Sequence, residues 1–436
     1  MKLISSTGSE RATNDPAKIV VYENTMHLTW QDIDANGYQN YCASIDLSSG
    51  TISQPFHLDT GIDNHARSVI TVDYEGYLHV IVGGHNSPVY HRRSLRPNDS
   101  SEWGEAKWVS SKGTYPVVLC DIHNTVYVQM RGRVDGVAAV EFFACESGQD
   151  WEKRSTLILN ADTYSKFYAA YPTRMAVDTK GTIHVLSSVY EGNIELGRGY
   201  HQALCYSKSM DGGRNWLRAN DTDVIEYARP ENLDCLLQSS RPRVEATPPP
   251  ELVPVGVTLN SRDHLQLFFL SHDQYPGDLF IAEFKEGCWQ RRSIRTVLDN
   301  AYPEMRTKAA WVSIRSDDSI CILVNLAPYN DDWINGKITR KMIMSEKTDE
   351  RLLWLISTDG GETFSVETVL EPGVSFNNPS VEFPCGANRI DAFRKPFILY
   401  YDGTNAYPGG EEYYNKPIEE MLADGDYKTT NVWLIE

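Results

Sequence analysis

The chain has 436 residues, a formal net charge of −18, 11% aromatic and 23% charged residues, 30 Gly and 21 Pro. A chain this long buries a large core without disulfide or metal staples, and no stretch has the composition of a disordered segment. The acidic balance argues against a nucleic-acid partner, which calls for a basic surface, and no apolar run approaches the ~18 residues of a membrane span.

The N-terminal MKLISSTGSERATND lacks an apolar core and a cleavage signature, so no signal peptide is read there. The protein is expected in the cytoplasm as written, or outside the cell if a leader has been removed. One pattern then recurs along the chain: an apolar strand, a tight polar turn, a second apolar strand. It appears as IVVYENTMHLTW (19–30), SVITVDYEGYLHVIVGG (68–84), YPVVLCDIHNTVYVQMR (115–131) and TRMAVDTKGTIHVLSS (173–188). It returns as GVTLNSRDHLQLFFLS (256–271), AAWVSIRSDDSICILVNL (309–326) and PSVEFPCGANRIDAFRK (379–395). The turns carry Gly, Asn or Asp, where a hairpin needs positive φ. HQALCYSKS, DLFIAEFKEGCW and LLWLISTDG supply further strands. Seven such units at spacings of roughly 45–80 residues imply an all-β fold, a single seven-bladed β-propeller over 1–436 with mostly four-stranded antiparallel blades.

SMDGGRNW (209–216) and STDGGETF (357–364) fit the Asp-box pattern S-x-D-x-G-x-x-[WF], and ACESGQDW (144–151) is a degraded copy. Asp211, Trp216, Asp359 and Phe364 are assigned to blade structure, not chemistry. ATPPPEL (246–252) reads as a connector, KPIEEMLA (416–423) as one short surface helix, and NVWLIE (431–436) as a last strand pairing in the first or last blade. The cysteines (Cys42, Cys120, Cys145, Cys205, Cys235, Cys288, Cys321, Cys385) form no CxxC and no zinc spacing, and are expected to be buried, reduced thiols.

The densest polar cluster is IDNHARSVITVDYEGYLHVIVGGHNSPVYHRRS (62–94). His65 precedes its hairpin and His85 follows it, beside Asn64 and Asn86. The two ends of a hairpin lie together, so the imidazoles should be neighbours. His79, inside the apolar run, is expected in the core; His91, Arg92 and Arg93 form a small basic patch or a solvated strand edge. The next hairpin repeats the arrangement with Tyr115 before it and Arg131 after it, within reach from an adjacent blade.

These segments, with weaker support from GYHQALCYSKSMDGGRNW, resemble the BNR-repeat propeller polysaccharide lyases: the ulvan lyases and the rhamnosyl-glucuronate lyases that act on arabinogalactan caps. The resemblance covers the N-terminal half well and the C-terminal half only through its blade pattern. It implies a catalytic quartet of His65, His85, Tyr115 and Arg131, carried by the 20-residue His–His and 16-residue Tyr–Arg spacings. The implied reaction is β-elimination at a 4-linked uronate, cutting a rhamnose–glucuronate bond to leave a 4,5-unsaturated uronate. The C5 proton is barely acidic beside a charged carboxylate. Arg131 suits neutralising that carboxylate through a bidentate contact. His85 suits the role of base, or of acid, with Tyr115 as its counterpart and His65 assisting at the carboxylate. Tyr190, Arg198, Tyr200 and His201 are candidate sugar contacts, and Asn64 and Asn86 could orient the substrate or the histidines. No cofactor is required; propellers can carry a structural calcium or zinc, but no ligand cluster in the sequence specifies one. The expected partner is a uronic-acid-containing polysaccharide or oligosaccharide, with no nucleic acid and no membrane, and the chain is expected to be a monomer. The alternatives are a sialidase-like hydrolase, whose Arg-Ile-Pro signature is missing, and a non-catalytic glycan-binding propeller.

Overall fold

The computed structural model describes residues 1–14, 17–159, 170–171, 174–193, 198–222, 234–238, 252–271, 277–328, 350–370, 377–402, 418–423, 425 and 429–436. The fold is all-β. Its strands form sheets of eight, seven, five, four and four members among these residues. All of the paired strands run antiparallel; one isolated parallel bridge joins Val72 to Gly386.

Six of the seven expected hairpins form as read, and four of their turns share one chemistry. Asp73 accepts hydrogen bonds from the backbone N–H of Glu75 and Tyr77, Asp121 from His123 and Thr125, and Asp178 from Lys180 and Thr182. Asn260 does the same for Arg262 and His264. A short acidic or amide side chain at the turn entrance satisfies donors that the strands leave over. Successive turns are then stitched together. Asn124 accepts from the N–H of Tyr74, Asp263 from Thr179, and Asp318 from Ser261. Asn124, Asp263 and Asp318 all have positive φ, which suits Asn and Asp.

The seventh hairpin departs from expectation. Asn377–Val381 is a strand, but its partner is Ile398–Tyr401 and not the 389–395 segment. Between them Glu382 accepts a hydrogen bond from the Phe397 N–H and ion-pairs with Arg394, and Asn388 accepts from the N–H of Val21. Asn388 thereby ties the segment to the first hairpin, while Glu382 holds the segment to itself. Thr430–Ile435 pairs with both Lys2–Gly8 and Ile398–Tyr401, so strands from the two ends of the chain share one sheet. The short helix expected near 416–423 is Ile418–Ala423, and Arg295–Ala301 is a second helix that the pattern did not signal.

Strands buried on both faces explain the continuous apolar runs. Leu78–Gly83 is buried throughout, and its Leu78, Val80 and Val82 join the same core cluster as Val128, Val140, Phe142, Val185 and Trp216. Phe142 meets Trp216 edge-on at 5.1 Å and 80°, a contact whose truncation to Ala costs ~3–5 kcal/mol. Trp216 closes the 209–216 turn, where Asp211 accepts from the N–H of Arg214 and Asn215. Asp359 caps the 357–364 turn similarly through Thr363. The cysteine expectation holds for Cys42, Cys120, Cys145, Cys205, Cys321 and Cys385; Cys288 is exposed, because it opens the edge strand Cys288–Ser293 straight after the Glu286–Gly287 turn. The side chain of Cys235 lies outside the described residues. No helix among the described residues is long and apolar enough to cross a membrane.

One strand sets up the site. Lys107–Cys120 is long enough to serve two units: its first half pairs with His85–Arg93 and its second with Val126–Val134. This sharing merges two expected four-stranded blades into the seven-stranded sheet. It also fixes Thr114 opposite His85 on one side and opposite Arg131 on the other.

Candidate active site

His85, Thr114 and Arg131 therefore stand in one row across three strands, at the end of the hairpins away from the Asp73 and Asp121 turns. The approach to His85 needs Gly83: its φ is +82°, and an added Cβ would sit 2.2 Å from the Pro88 carbonyl oxygen. Tyr115, on the neighbouring strand, has φ +56°, and Asn86, next to His85, has φ +54°. Positive φ is costly for an aromatic residue, and such strain gathers at functional positions.

The turn 63–66 brings His65 to the row. Its backbone N–H donates to Asp63 Oδ1 at 2.7 Å, and its ring stacks on His85 with centroids 4.3 Å apart and planes 21° apart. Tyr115 lies 6.0 Å from the His65 ring and 6.4 Å from the His85 ring, and the Arg131 guanidinium sits 4.9 Å from the Tyr115 centroid. The fold thus brings together all four residues of the expected quartet.

A fifth residue, not singled out in the sequence, joins them. Asp63 accepts a hydrogen bond from His85 Nδ1–H, and His65 Nδ1 stands 3.5 Å from its other oxygen. A carboxylate only accepts, so this bond fixes the His85 tautomer and leaves Nε2 as proton acceptor. Burial pushes the Asp63 carboxyl up, but the imidazoles of His65 and His85 outweigh it and hold the group well below the usual carboxylate range. Burial, with Arg11 next in weight, pulls His65 from 6.5 down to about 3, so it is neutral at ordinary pH. The signal for Asp63 was its place two residues before His65.

Asn64 is buried and donates its amide to Glu10, which also accepts from Tyr38. It braces the turn that presents His65. Asn86 is exposed and lines a cavity of about 260 Å³ with Lys112, Gly113, Arg131, Gly132 and Arg133. The Ile183–Asn193 and Arg198–Ser209 strands rise toward this end of the fold and pair Tyr190 with His201, Glu191 with Tyr200 and Asn193 with Arg198. His201 Nδ1 lies 2.6 Å from Ser188 Oγ; the side chains of Tyr190, Arg198 and Tyr200 lie outside the described residues.

The basic patch dissolves on inspection. His79 and His91 are both buried and bonded ring to ring at 2.9 Å, as the apolar setting of His79 implied but that of His91 did not. Arg93 covers the Tyr77 ring at 3.3 Å, and Arg92 donates to the Gly104 carbonyl. Asp63, His65 and His85 are also the one group among the described residues whose ligand atoms, within 4.8 Å of one another, suit a metal ion.

The sequence model of the BNR repeat-containing family matches residues 18–248, a span that holds every residue of this site beyond Glu10 and Arg11. The chain is a member of the BNR repeat-containing family. This BNR-repeat protein is 24% identical over 151 residues to the PL25 ulvan lyase of Pseudoalteromonas sp. (strain PLSV), covering 28% of the chain and 31% of that relative. It is 23% identical over 151 residues to an ulvan lyase of Alteromonas sp. (strain LOR), with the same shares. The chain thus spans under a third of the curated relatives it matches. Among solved structures, the BNR-repeat protein is similar to a PL25 ulvan lyase bound to -[GlcA(1-4)Rha3S]-, with TM-score 0.65 and 15% identity over 92% of this chain and 94% of the other. The polysaccharide lyase Uly1 gives TM-score 0.57 and 11% identity over 100% of both chains.

Proposed function

We propose that the protein is a polysaccharide lyase that cleaves a rhamnose–glucuronate bond, at a 4-linked uronate, by β-elimination. The observation that carries this reading is the stacked His65/His85 pair on Asp63, facing Tyr115 and Arg131. Similarity to ulvan lyases in sequence and fold supports it. The same reading makes the chain one seven-bladed propeller domain. In its favour, one cavity of about 390 Å³ is lined from six separate hairpins, by residues such as Tyr74, Leu119, Thr179, Asn260, Arg315 and Phe383.

In this mechanism Arg131 meets the uronate carboxylate and stabilises the anion that develops at C5. His85 Nε2 removes the C5 proton, and the C–H electron pair becomes the C4–C5 double bond. The C4–O4 bond breaks, and the Tyr115 hydroxyl gives its proton to the departing oxygen. Asp63 stabilises the imidazolium formed on His85. His65, neutral, fills the site beside the carboxylate without adding a competing charge. No step needs a metal.

Mass spectrometry of products from ulvan and from gum arabic tests the reading. Elimination yields a new non-reducing end one water lighter than hydrolysis gives. Products of hydrolytic mass, or none from either glycan, would contradict it.

A further inference from the structure

A buried arginine crosses between sheets far along the chain from the His85 row. Arg174 stands one residue before the strand Met175–Val177, and its side chain leaves that strand to meet two other segments. Its Nη1–H donates to the Val312 carbonyl on Met305–Ile314, and its guanidinium carbon lies 4.9 Å from the centre of the Phe383 ring. Gly256, on Leu252–Leu259, makes the crossing possible. A Cβ there would stand 2.5 Å from Val312 Cγ1 and 3.3 Å from Arg174 Cδ. Val312 and Phe383 also wall the cavity of about 390 Å³ at the turn end of the hairpins, with Leu119, Val177 and Leu259. The guanidinium is thus packed against the inner wall of that cavity.

The charge on Arg174 is not balanced by the protein around it. A guanidinium carries five N–H donors, and among the described residues the Val312 carbonyl is the one acceptor that Arg174 finds. Lys308 and the enclosed side chain of Arg154 have carboxylates, Glu350 for the first and Glu146 and Glu152 for the second. Near Arg174, Glu382 is taken by Arg394, and burial pushes the Cys385 thiol up to about 12, so neither supplies a counter-charge. Burial pulls Arg174 down from 12.5 to about 10, which still leaves it charged at ordinary pH. An enclosed charge with a single hydrogen bond is costly, so a ligand that neutralises it stabilises the fold.

We infer that Arg174 is an anion site inside the fold, which takes a small monovalent anion, a halide or a short alkyl carboxylate, from the cavity at the turn end. The site stands apart from His85 and Arg131 and does not depend on the lyase reading. The cavity sets the ligand class. Its volume is near the lower end of the ~300–1,000 Å³ of small-ligand pockets, and its Leu, Val and Phe walls offer few partners to the hydroxyls of a sugar acid. At its mouth Asp178, Asp263 and Asp318 outnumber Arg315 and Arg389, which turns away anions of high charge. The bound anion ties the Arg174, Val312 and Phe383 segments together and belongs to the folded chain alone.

The test measures the urea midpoint of the full chain in sodium chloride, sodium butyrate and sodium gluconate at one ionic strength, over a range of concentrations. Gluconate is the reference, too bulky and polar for the site. The wild-type midpoint should rise above the gluconate value with the logarithm of chloride or butyrate concentration. A larger rise in butyrate identifies a carboxylate with an apolar body; a larger rise in chloride identifies an inorganic ion. Arg174→Met keeps the bulk without the charge. It should match or exceed wild type in gluconate and bind either anion at least about tenfold more weakly. Equal wild-type midpoints in all three salts, or a full response in Arg174→Met, would overturn the site. If Arg174→Met does not fold, Leu259→Trp, which narrows the cavity and leaves the arginine alone, decides: a smaller response to butyrate upholds the site, and an unchanged one removes it.

Discussion

The hairpin 69–83 has an aspartate and two stacked histidines at each end. At one end Asp63, His65 and His85 have rings 4.3 Å apart; at the other Asp73, His79 and His91 have rings 5.1 Å apart and 9° from parallel. Their surroundings differ. Asp73 is buried, spends itself on two backbone amides as well as on His79, and His91 packs edge-on against Trp151. Asp63 and His85 are partly open, and their neighbours are Tyr115 and Arg131. The same three residue types make a lock where every polar atom faces protein, and a reactive centre where one imidazole edge faces solvent beside a cation. Composition alone does not separate them; exposure and the third neighbour do.

The largest effect that sharpens the contrast is on turnover. His85→Ala should lower kcat by about 10³-fold, the scale of losing a general base, with little change in melting temperature. His91→Leu should do the reverse: it strands the His79 Nδ1 and costs ~2 kcal/mol, read as a lower urea midpoint, while the activity of the folded fraction persists. Next comes the pair of aspartates. Asp63→Asn should cut kcat about 10²-fold by freeing the His85 tautomer, with a shifted pH–rate profile. Asp73→Asn should leave that profile in place and lower stability.

The pH dependence follows in size. Burial lowers His27 from 6.5 to about 4 and His65 to about 3, and lowers His79 and His91 too. Below pH 6.5 the unfolded chain binds protons that the folded chain refuses, so stability is complete above that value and declines as pH falls toward 4. Chemical denaturation at pH 7 and pH 4.5 measures it, and His91→Leu should flatten the slope. The smallest effect concerns a turn remote from either trio. Asp359→Ala removes acceptors for Thr363 and should lower the urea midpoint only slightly, with kcat unchanged.

Much of this was legible in the chain. Alternating apolar runs with Asp, Asn and Gly turns gave six hairpins, and the hairpin argument alone brought His65 to His85. What stayed hidden depended on tertiary pairing. The double use of Lys107–Cys120 fixes Arg131 opposite Thr114, and no local pattern signals a strand shared between units. His91 looked basic beside Arg92 and Arg93 because alternation along one strand does not say which face the next sheet covers. Asp63 carried no periodic signal, since its role comes from a turn that folds back on its own imidazole neighbour. The last hairpin failed because Glu382 and Arg394 pair with each other inside the segment and Asn388 reaches Val21 in the first hairpin, instead of extending a strand.

The most direct test follows the ultraviolet absorbance of the 4,5-unsaturated uronate while ulvan is incubated with wild type, His85→Ala and His91→Leu side by side. Absorbance should rise with wild type and with folded His91→Leu, and stay flat with His85→Ala. A rise with His85→Ala equal to wild type, or reducing ends released by wild type without absorbance, would contradict the assignment of the Asp63–His65–His85 end as the centre of an elimination reaction.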